Sequence, residues 1–190
     1  MQITQLYDQL KTTLSPRVYD HSIGVATTAA RLAVKLGADQ DKAFLAGLLH
    51  DCAREWPAEK LLEASEENRL NVDSVTRQQP VILHADVGAI LAQDWGIRDD
   101  EVLTAIRNHT LGRPQMPLLA EIVYIADKIE PGRQYPGVDQ IRKQAEEDFH
   151  ECLMQVASQS VTYVLQKKQI VHPRAISFWN WLVERKNRGV

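Results

Sequence analysis

The sequence predicts an all-α protein, a compact packing of about seven to nine helices. Three observations carry this expectation. Apolar residues recur at spacings of three, four and seven along almost the whole chain. Ser, Asp and Pro open those runs and glycines close them, as helix caps do. Alternating apolar-polar runs suited to strands are few. A length of 190 residues with 44% apolar side chains is enough for one substantial core, so a disordered chain is excluded.

In "SPRVYDHSIGVATTAARLAVKLG", Ser15 is a natural N-cap, Pro16 suits the first helical position and Gly37 suits the stop. Val18, Val25, Ala29, Leu32 and Leu36 form its inward stripe, and His21 lies on or beside that stripe. The next helix begins near Asp41 and runs through Phe44, Leu45, Leu48 and Leu49 to His50-Asp51. Pro57 opens a short helix containing Leu61 and Leu62, and "RLNVDSVTRQQ" is irregular with room for one helical turn. Pro80 opens "PVILHADVGAILAQDW", which Gly96 stops. Asp99 and Asp100 can cap "EVLTAIRNH", and "TLGRPQMP" is a loop. "LLAEIVYIADKI" reads as a helix whose centre could pass for a strand, and "EPGRQYPGV" is a second loop. Helical pattern resumes from Asp139 to about Lys168 with a break near Glu147, and Pro173 starts the last helix. No internal repeat, low-complexity tract or linker interrupts the chain, so residues 1–190 read as one domain. Its core spans about 15–138 and its C-terminal helices 139–187.

A net charge of −3 excludes a protein whose main task is coating nucleic acid, and leaves room for a small phosphate ligand held by a local basic cluster. The N-terminal twenty residues are charged and lack an apolar core, so no signal peptide is expected. No apolar run reaches the ~18 residues of a membrane span. Cys52 and Cys152 are far apart with no CxxC spacing, which reads as a reducing cytoplasm. Cys52 takes a structural role. Trp179 and Trp181 leave core packing and a homodimer contact as alternatives.

The polar residues of the apolar helices carry the chemical signal. His21, His50, His84 and His109, with Asp51 and Asp127, come from five separate helical segments. Each alone is an ordinary helical polar residue. Together they would leave several buried groups unpaired, each at a cost of ~1–3 kcal/mol. One shared metal site satisfies them all. His150, on an acidic face beside Glu146, Glu147 and Glu151, and His172 are excluded from the set.

The ordered pattern His21 … His50-Asp51 … His84 … His109 … Asp127 resembles the HD-domain metal-dependent phosphohydrolases, and most closely their YqeK-like subfamily. The resemblance rests on "YDHSIGVATTAARLA", "AGLLHDCAR", "ILHADVGAILA", "AIRNHTLGRPQM" and "EIVYIADKIEPGRQYPGV", blocks that span residues 19–138. It implies an all-α single HD domain with two divalent metal ions, iron first with Mn, Co or Zn as substitutes. It implies symmetrical hydrolysis of diadenosine tetraphosphate to two ADP by a metal-bridging hydroxide. One ion would take His21, His50, Asp51 and Asp127, and the other His84 and His109, with Asp51 bridging. A set of imidazoles and carboxylates suits these metals better than Mg.

Catalytic roles are expected for Asp51, Arg54 and Arg133. Substrate contacts are expected from Arg54, Arg133, Thr110, Gly112 and Arg113. Arg54 stands where the family usually has lysine, and Leu111 where it often has a second threonine. The rival readings are an HD enzyme for deoxynucleoside monophosphates or a guanosine alarmone, and a nucleotide-binding sensor without turnover. A small nucleotide is the expected partner, with no nucleic acid and no membrane.

Overall fold

The computed structural model describes residues 3–188. In chain order the helices are α1 (Ile3–Thr13), α2 (Pro16–Leu36), α3 (Gln40–Leu49), α4 (Ala58–Glu67), α5 (Ser74–Gln78), α6 (His84–Asp94), α7 (Asp100–Asn108), α8 (Leu118–Ile129), α9 (Val138–Glu147), α10 (Phe149–Gln166) and α11 (Pro173–Asn187). A 3-10 turn, Pro80–Leu83, precedes α6, and there is no strand among the described residues. The all-α expectation holds, and the central run of α8 is helix rather than strand.

The helix count exceeds the expected seven to nine by α1 and α5. Leu6 and Leu10 of α1 are buried against the core with Leu14, so tertiary packing stabilises a segment whose surface is mostly polar. The five residues of α5 hold because the Asp73 carboxylate accepts from Thr76 N at 2.8 Å. The α2 caps are those anticipated: the Ser15 hydroxyl accepts from Val18 N, and Gly37 ends the helix at φ +71°.

At the centre lies α8, whose residues are buried on every side except Leu118 and Lys128. Helices α2, α3 and α7 pack around it, and α2 meets α3 most extensively. Gly47 is why those two helices approach so closely. A Cβ there would lie 2.8 Å from Ala26 Cα and 2.9 Å from Ala26 N, both backbone atoms of α2. This close crossing brings His21 of α2 to His50 at the end of α3.

The C-terminal helices pack on the same core. Phe178 and Leu182 of α11 are buried, Phe178 stacks on Trp181 with an interplanar angle of 17°, and Trp179 packs on the same core. Among the described residues no helix is long and apolar enough to cross a membrane.

Candidate metal centre

Asp51 organises the centre. Its Oδ2 lies 3.4 Å from His50 Nε2 and 3.8 Å from His21 Nε2, while its Oδ1 lies 3.2 Å from His84 Nε2 and 3.4 Å from His109 Nε2. Each oxygen therefore faces its own pair of imidazoles. Asp127, in the last turn of α8, adds Oδ1 at 3.0 Å from His21 Nε2 and 3.8 Å from His50 Nε2. All of these groups are buried except His21, which is partly exposed. The six ligand positions expected from the sequence converge on one point.

Local backbone structure aims the rings. Helix α3 ends at Leu49, immediately before the expected His-Asp end, because the chain breaks into successive tight turns from His50 onward. Gly47 O, a carbonyl of that last helical turn, accepts from His50 Nδ1 at 2.7 Å. His109, the C-cap of α7, repeats the arrangement, with Nδ1 at 2.7 Å from Ile106 O. The helix read as opening at Pro80 begins instead as the 3-10 turn, whose Val81 carbonyl accepts both the His84 backbone N–H and its Nδ1. In each case Nδ1 carries the proton and Nε2 turns a lone pair inward.

That arrangement demands a cation. His84 Nε2 and His109 Nε2 are 3.0 Å apart, and both face Asp51 Oδ1. Three acceptors thus converge with only the Thr110 hydroxyl, 3.0–3.1 Å from the two nitrogens, to supply a proton. On the other side His50 Nε2 is fully buried and has no hydrogen-bond partner. Metal–nitrogen bonds of about 2.0–2.1 Å bring neighbouring donors to roughly 3–3.5 Å from one another, and Asp51 Oδ1, His84 Nε2 and His109 Nε2 lie 3.0–3.4 Å apart. The donors form two groups, His21–His50–Asp51 and Asp51–His84–His109, each within 4.8 Å, with Asp51 common to both. The residues present fit a pair of divalent ions.

The electrostatics agree. Burial pushes the Asp51 carboxyl up, but the charge favoured on His50 and the imidazoles of His109 and His84 that face it override this and hold it well below the usual range. Asp127 is likewise held low against its burial, by Lys128, His21, His50 and Arg133. Burial pushes His109 down to about 4, keeping it neutral and ready to bind a metal. His50 is raised despite burial, because Asp51 and Asp127 both face it.

Several other residues stand around this centre. Arg133 Nε donates to Asp127 O at 2.7 Å, and its Nη2 donates to Asp127 Oδ1 beside His21. Arg54 is exposed, with Nη1 3.3 Å from His84 Nδ1; that nitrogen's proton is already given to Val81 O, so the contact is electrostatic proximity rather than a hydrogen bond. Gly112 is buried at φ +65°, and its missing Cβ leaves room for the Phe178 ring, so this glycine turns the chain. Arg113 donates weakly to Pro114 O and has no contact with the centre. Cys52 points away, its thiol donating to Gly88 O at 3.3 Å. His150 is exposed beside Arg185, and His172 caps α11 while pairing with Asp73, so both excluded histidines stand elsewhere.

Two residues of the centre escaped the sequence reading. Lys128 Nζ pairs with Asp127 Oδ2 at 2.6 Å. Glu130, buried and placed by the loop after α8, meets His21 Nδ1 at 3.1 Å. The cue for Glu130 was available: it follows Asp127 by three residues and leads into a Pro-Gly turn.

Known proteins place the chain. The HD domain model matches residues 18–132. A symmetrical bis(5'-nucleosyl)-tetraphosphatase of Bacillus subtilis is 39% identical over 175 residues, covering 92% of this chain and 94% of that protein. A Mycoplasma genitalium protein described as a probable nicotinate-nucleotide adenylyltransferase/Ap4A hydrolase is 31% identical over 78% of this chain, which spans 44% of that longer protein. The crystal structure of a predicted HD superfamily hydrolase involved in NAD metabolism, from Clostridium acetobutylicum, superposes with a TM-score of 0.95. It is 40% identical, with 97% of this chain and 98% of that one covered. Matched by the HD domain model and by these relatives over nearly its full length, the chain belongs to the HD-domain family, in the branch that holds the symmetrical bis(5'-nucleosyl)-tetraphosphatases.

Proposed function

We propose that this chain hydrolyses diadenosine tetraphosphate and related bis(5'-nucleosyl) tetraphosphates at the middle of the polyphosphate, releasing two nucleoside diphosphates. The observation that carries the reading is Asp51, whose two oxygens each face a separate histidine pair. The match to symmetrical tetraphosphatases over nearly the full length of both chains supports the substrate class. His21, His50, Asp51 and Asp127 would hold one ion, and Asp51, His84 and His109 the other. Iron is our choice of metal, since nitrogen-rich donors with carboxylates favour it over Mg and Ca. When bound, such a pair supplies Lewis acidity and a nucleophile at neutral pH.

The chain's own residues do the rest. Arg133 and Lys128 neutralise Asp127 in the structure. Arg133 meets the Oδ1 that faces the histidines and Lys128 the outer Oδ2, so the Arg133 fork is the group placed to turn an N–H to a phosphate oxygen beside the first histidine pair. Arg54 stands beside His84 on the opposite side and takes the other end of the polyphosphate. The Thr110 hydroxyl, at hydrogen-bond distance from His84 and His109, is placed to contact the phosphate between them. Cations on both sides of the centre hold a four-phosphate chain by its two ends and leave the middle anhydride at the site of attack. Thr110, Gly112 and Arg113 share the loop after α7; Thr110 is its direct contact, and Gly112 sets the turn that presents it.

Iron-loaded protein, incubated with diadenosine tetraphosphate and analysed by chromatography, should yield ADP alone. ATP plus AMP as initial products would refute the central cut. A parallel panel of deoxynucleoside monophosphates and guanosine alarmones should be hydrolysed far more slowly.

A further inference from the structure

Three of the four metal-facing histidines share one device: Nδ1 donates to the carbonyl three residues earlier, in His50, His84 and His109. All three sit where a helical segment ends, and only there does such a carbonyl have capacity to spare. His21 differs. It lies inside the 21-residue helix α2, where the preceding carbonyls are taken by the helix itself. Its Nδ1 needs an acceptor from elsewhere in the chain, and the atom found there is Glu130 Oε1 at 3.1 Å.

The surroundings hold this carboxylate in place. Glu130 is 4% exposed. Its Oε2 accepts from Gly132 N at 2.5 Å. Arg142 fixes the backbone around it, donating to Ile129 O at 2.9 Å, Glu130 O at 2.8 Å and Arg133 O at 2.9 Å. Two glycines make room for it. A Cβ on Gly24, one turn along α2 from His21, would lie 2.6 Å from Glu130 Oε2, and a Cβ on Gly132 would lie 3.0 Å from the same atom. The pocket for the carboxylate is thus cut from both sides.

We propose that Glu130 is a positioning residue that fixes His21 with Nε2 turned to the first ion, doing for a mid-helix histidine what helix-end carbonyls do for the other three. The inference rests on the two-ion reading of the centre. It has a further consequence. The first group offers four ligand side chains, His21, His50, Asp51 and Asp127, against three in the second, and Glu130 backs one of them with a carboxylate, whereas the rings of the second group lean on neutral carbonyls. The first site therefore fills at lower metal concentration, and Glu130 is part of the reason.

The test is a manganese(II) titration of the metal-free protein, with free ion read by electron paramagnetic resonance. The parent should bind in two steps. E130A should weaken the tight step by ~10- to 100-fold, the usual effect of removing a ligand's hydrogen-bond partner, and spare the weak step. E130Q should fall between, because one amide oxygen can serve His21 or Gly132 but not both. G24A supplies an independent arm: it keeps the carboxylate in the chain but displaces it, and should weaken the tight step in metal-free protein that circular dichroism shows to be folded. Nitrogen-15 spectra of the His21 ring should show Nδ1 protonated in the parent and mixed tautomers in E130A. Parent-like affinity in both E130A and G24A would overturn the proposal, as would equal weakening of both steps. A parent that binds no manganese would instead overturn the two-ion reading.

Discussion

Replacing Arg133 with alanine separates substrate positioning from metal binding. In the structure this guanidinium makes two bonds to Asp127, one to its carbonyl at 2.7 Å and one to Oδ1. An ion bound to Asp127 would take over the second, leaving one edge of the guanidinium for a phosphate. A charge-assisted hydrogen bond of that kind contributes roughly 1.5–3 kcal/mol. The side chain is 36% exposed, so screening trims the gain toward the lower half of that range. At ~1.4 kcal/mol per factor of ten, R133A should lose ~10- to 30-fold in catalytic efficiency. The loop should survive, because Arg142 holds three of its carbonyls independently. R133K should recover part of the loss, since the charge returns without the fork. Steady-state hydrolysis and metal content, measured on the same preparations, decide the matter. Efficiency within twofold of the parent in R133A would refute the phosphate role, and loss of metal would assign Arg133 to the centre's integrity instead.

Three further outcomes are expected. Gly47→Ala puts a Cβ into the backbone of α2, and overpacking of ~1–3 kcal/mol should outweigh the ~1 kcal/mol gained in helix propensity, so the variant should melt below the parent; an equal or higher melting temperature would contradict the close crossing. Arg185→Ala strips the partner from buried Glu121, whose carboxyl burial already raises and which Arg185 draws back down. A carboxyl raised further in the fold keeps its stability contribution below its unfolded pKa of ~4.3 and loses it as pH climbs through the folded value, so the deficit measured by denaturant should be larger at pH 8 than at pH 5. Metal binding must displace the proton that Asp51 and Asp127 favour on His50, so affinity for manganese(II) should rise with pH across the raised His50 pKa and level off above it.

Much of this was legible in the sequence because it lies in local pattern. Ser15 and Gly37 bracket α2 as caps, His21 stands on or beside the inward stripe that helical spacing assigns it, and His50 and His109 end their helices as read. The all-apolar run of α8 marked the central helix, although its β-branched centre left its state open until packing decided it. What stayed hidden depends on contacts distant in sequence. The Leu6, Leu10, Leu14 spacing of α1 was present, but a mostly polar helix shows its burial only once α2 is in place. The 3-10 turn at Pro80 follows from His84 needing the Val81 carbonyl, which no propensity records. Glu130 reaches His21 across 109 residues, and only the fold joins them. Arg54 and Arg133, singled out by their spacing after His50 and Asp127, lie beside the centre, while Arg113, four residues after His109, turns to the Pro114 carbonyl.

Whether one carboxylate, Asp51, serves two ions is read most directly from the metal content of the Asp51→Ala protein. The parent should hold two ions per chain, His109→Ala one, since only the second ligand group is damaged, and Asp51→Ala close to none, since both groups lose their common oxygen donor. Elemental analysis finding two ions per chain in folded Asp51→Ala protein would contradict the shared carboxylate.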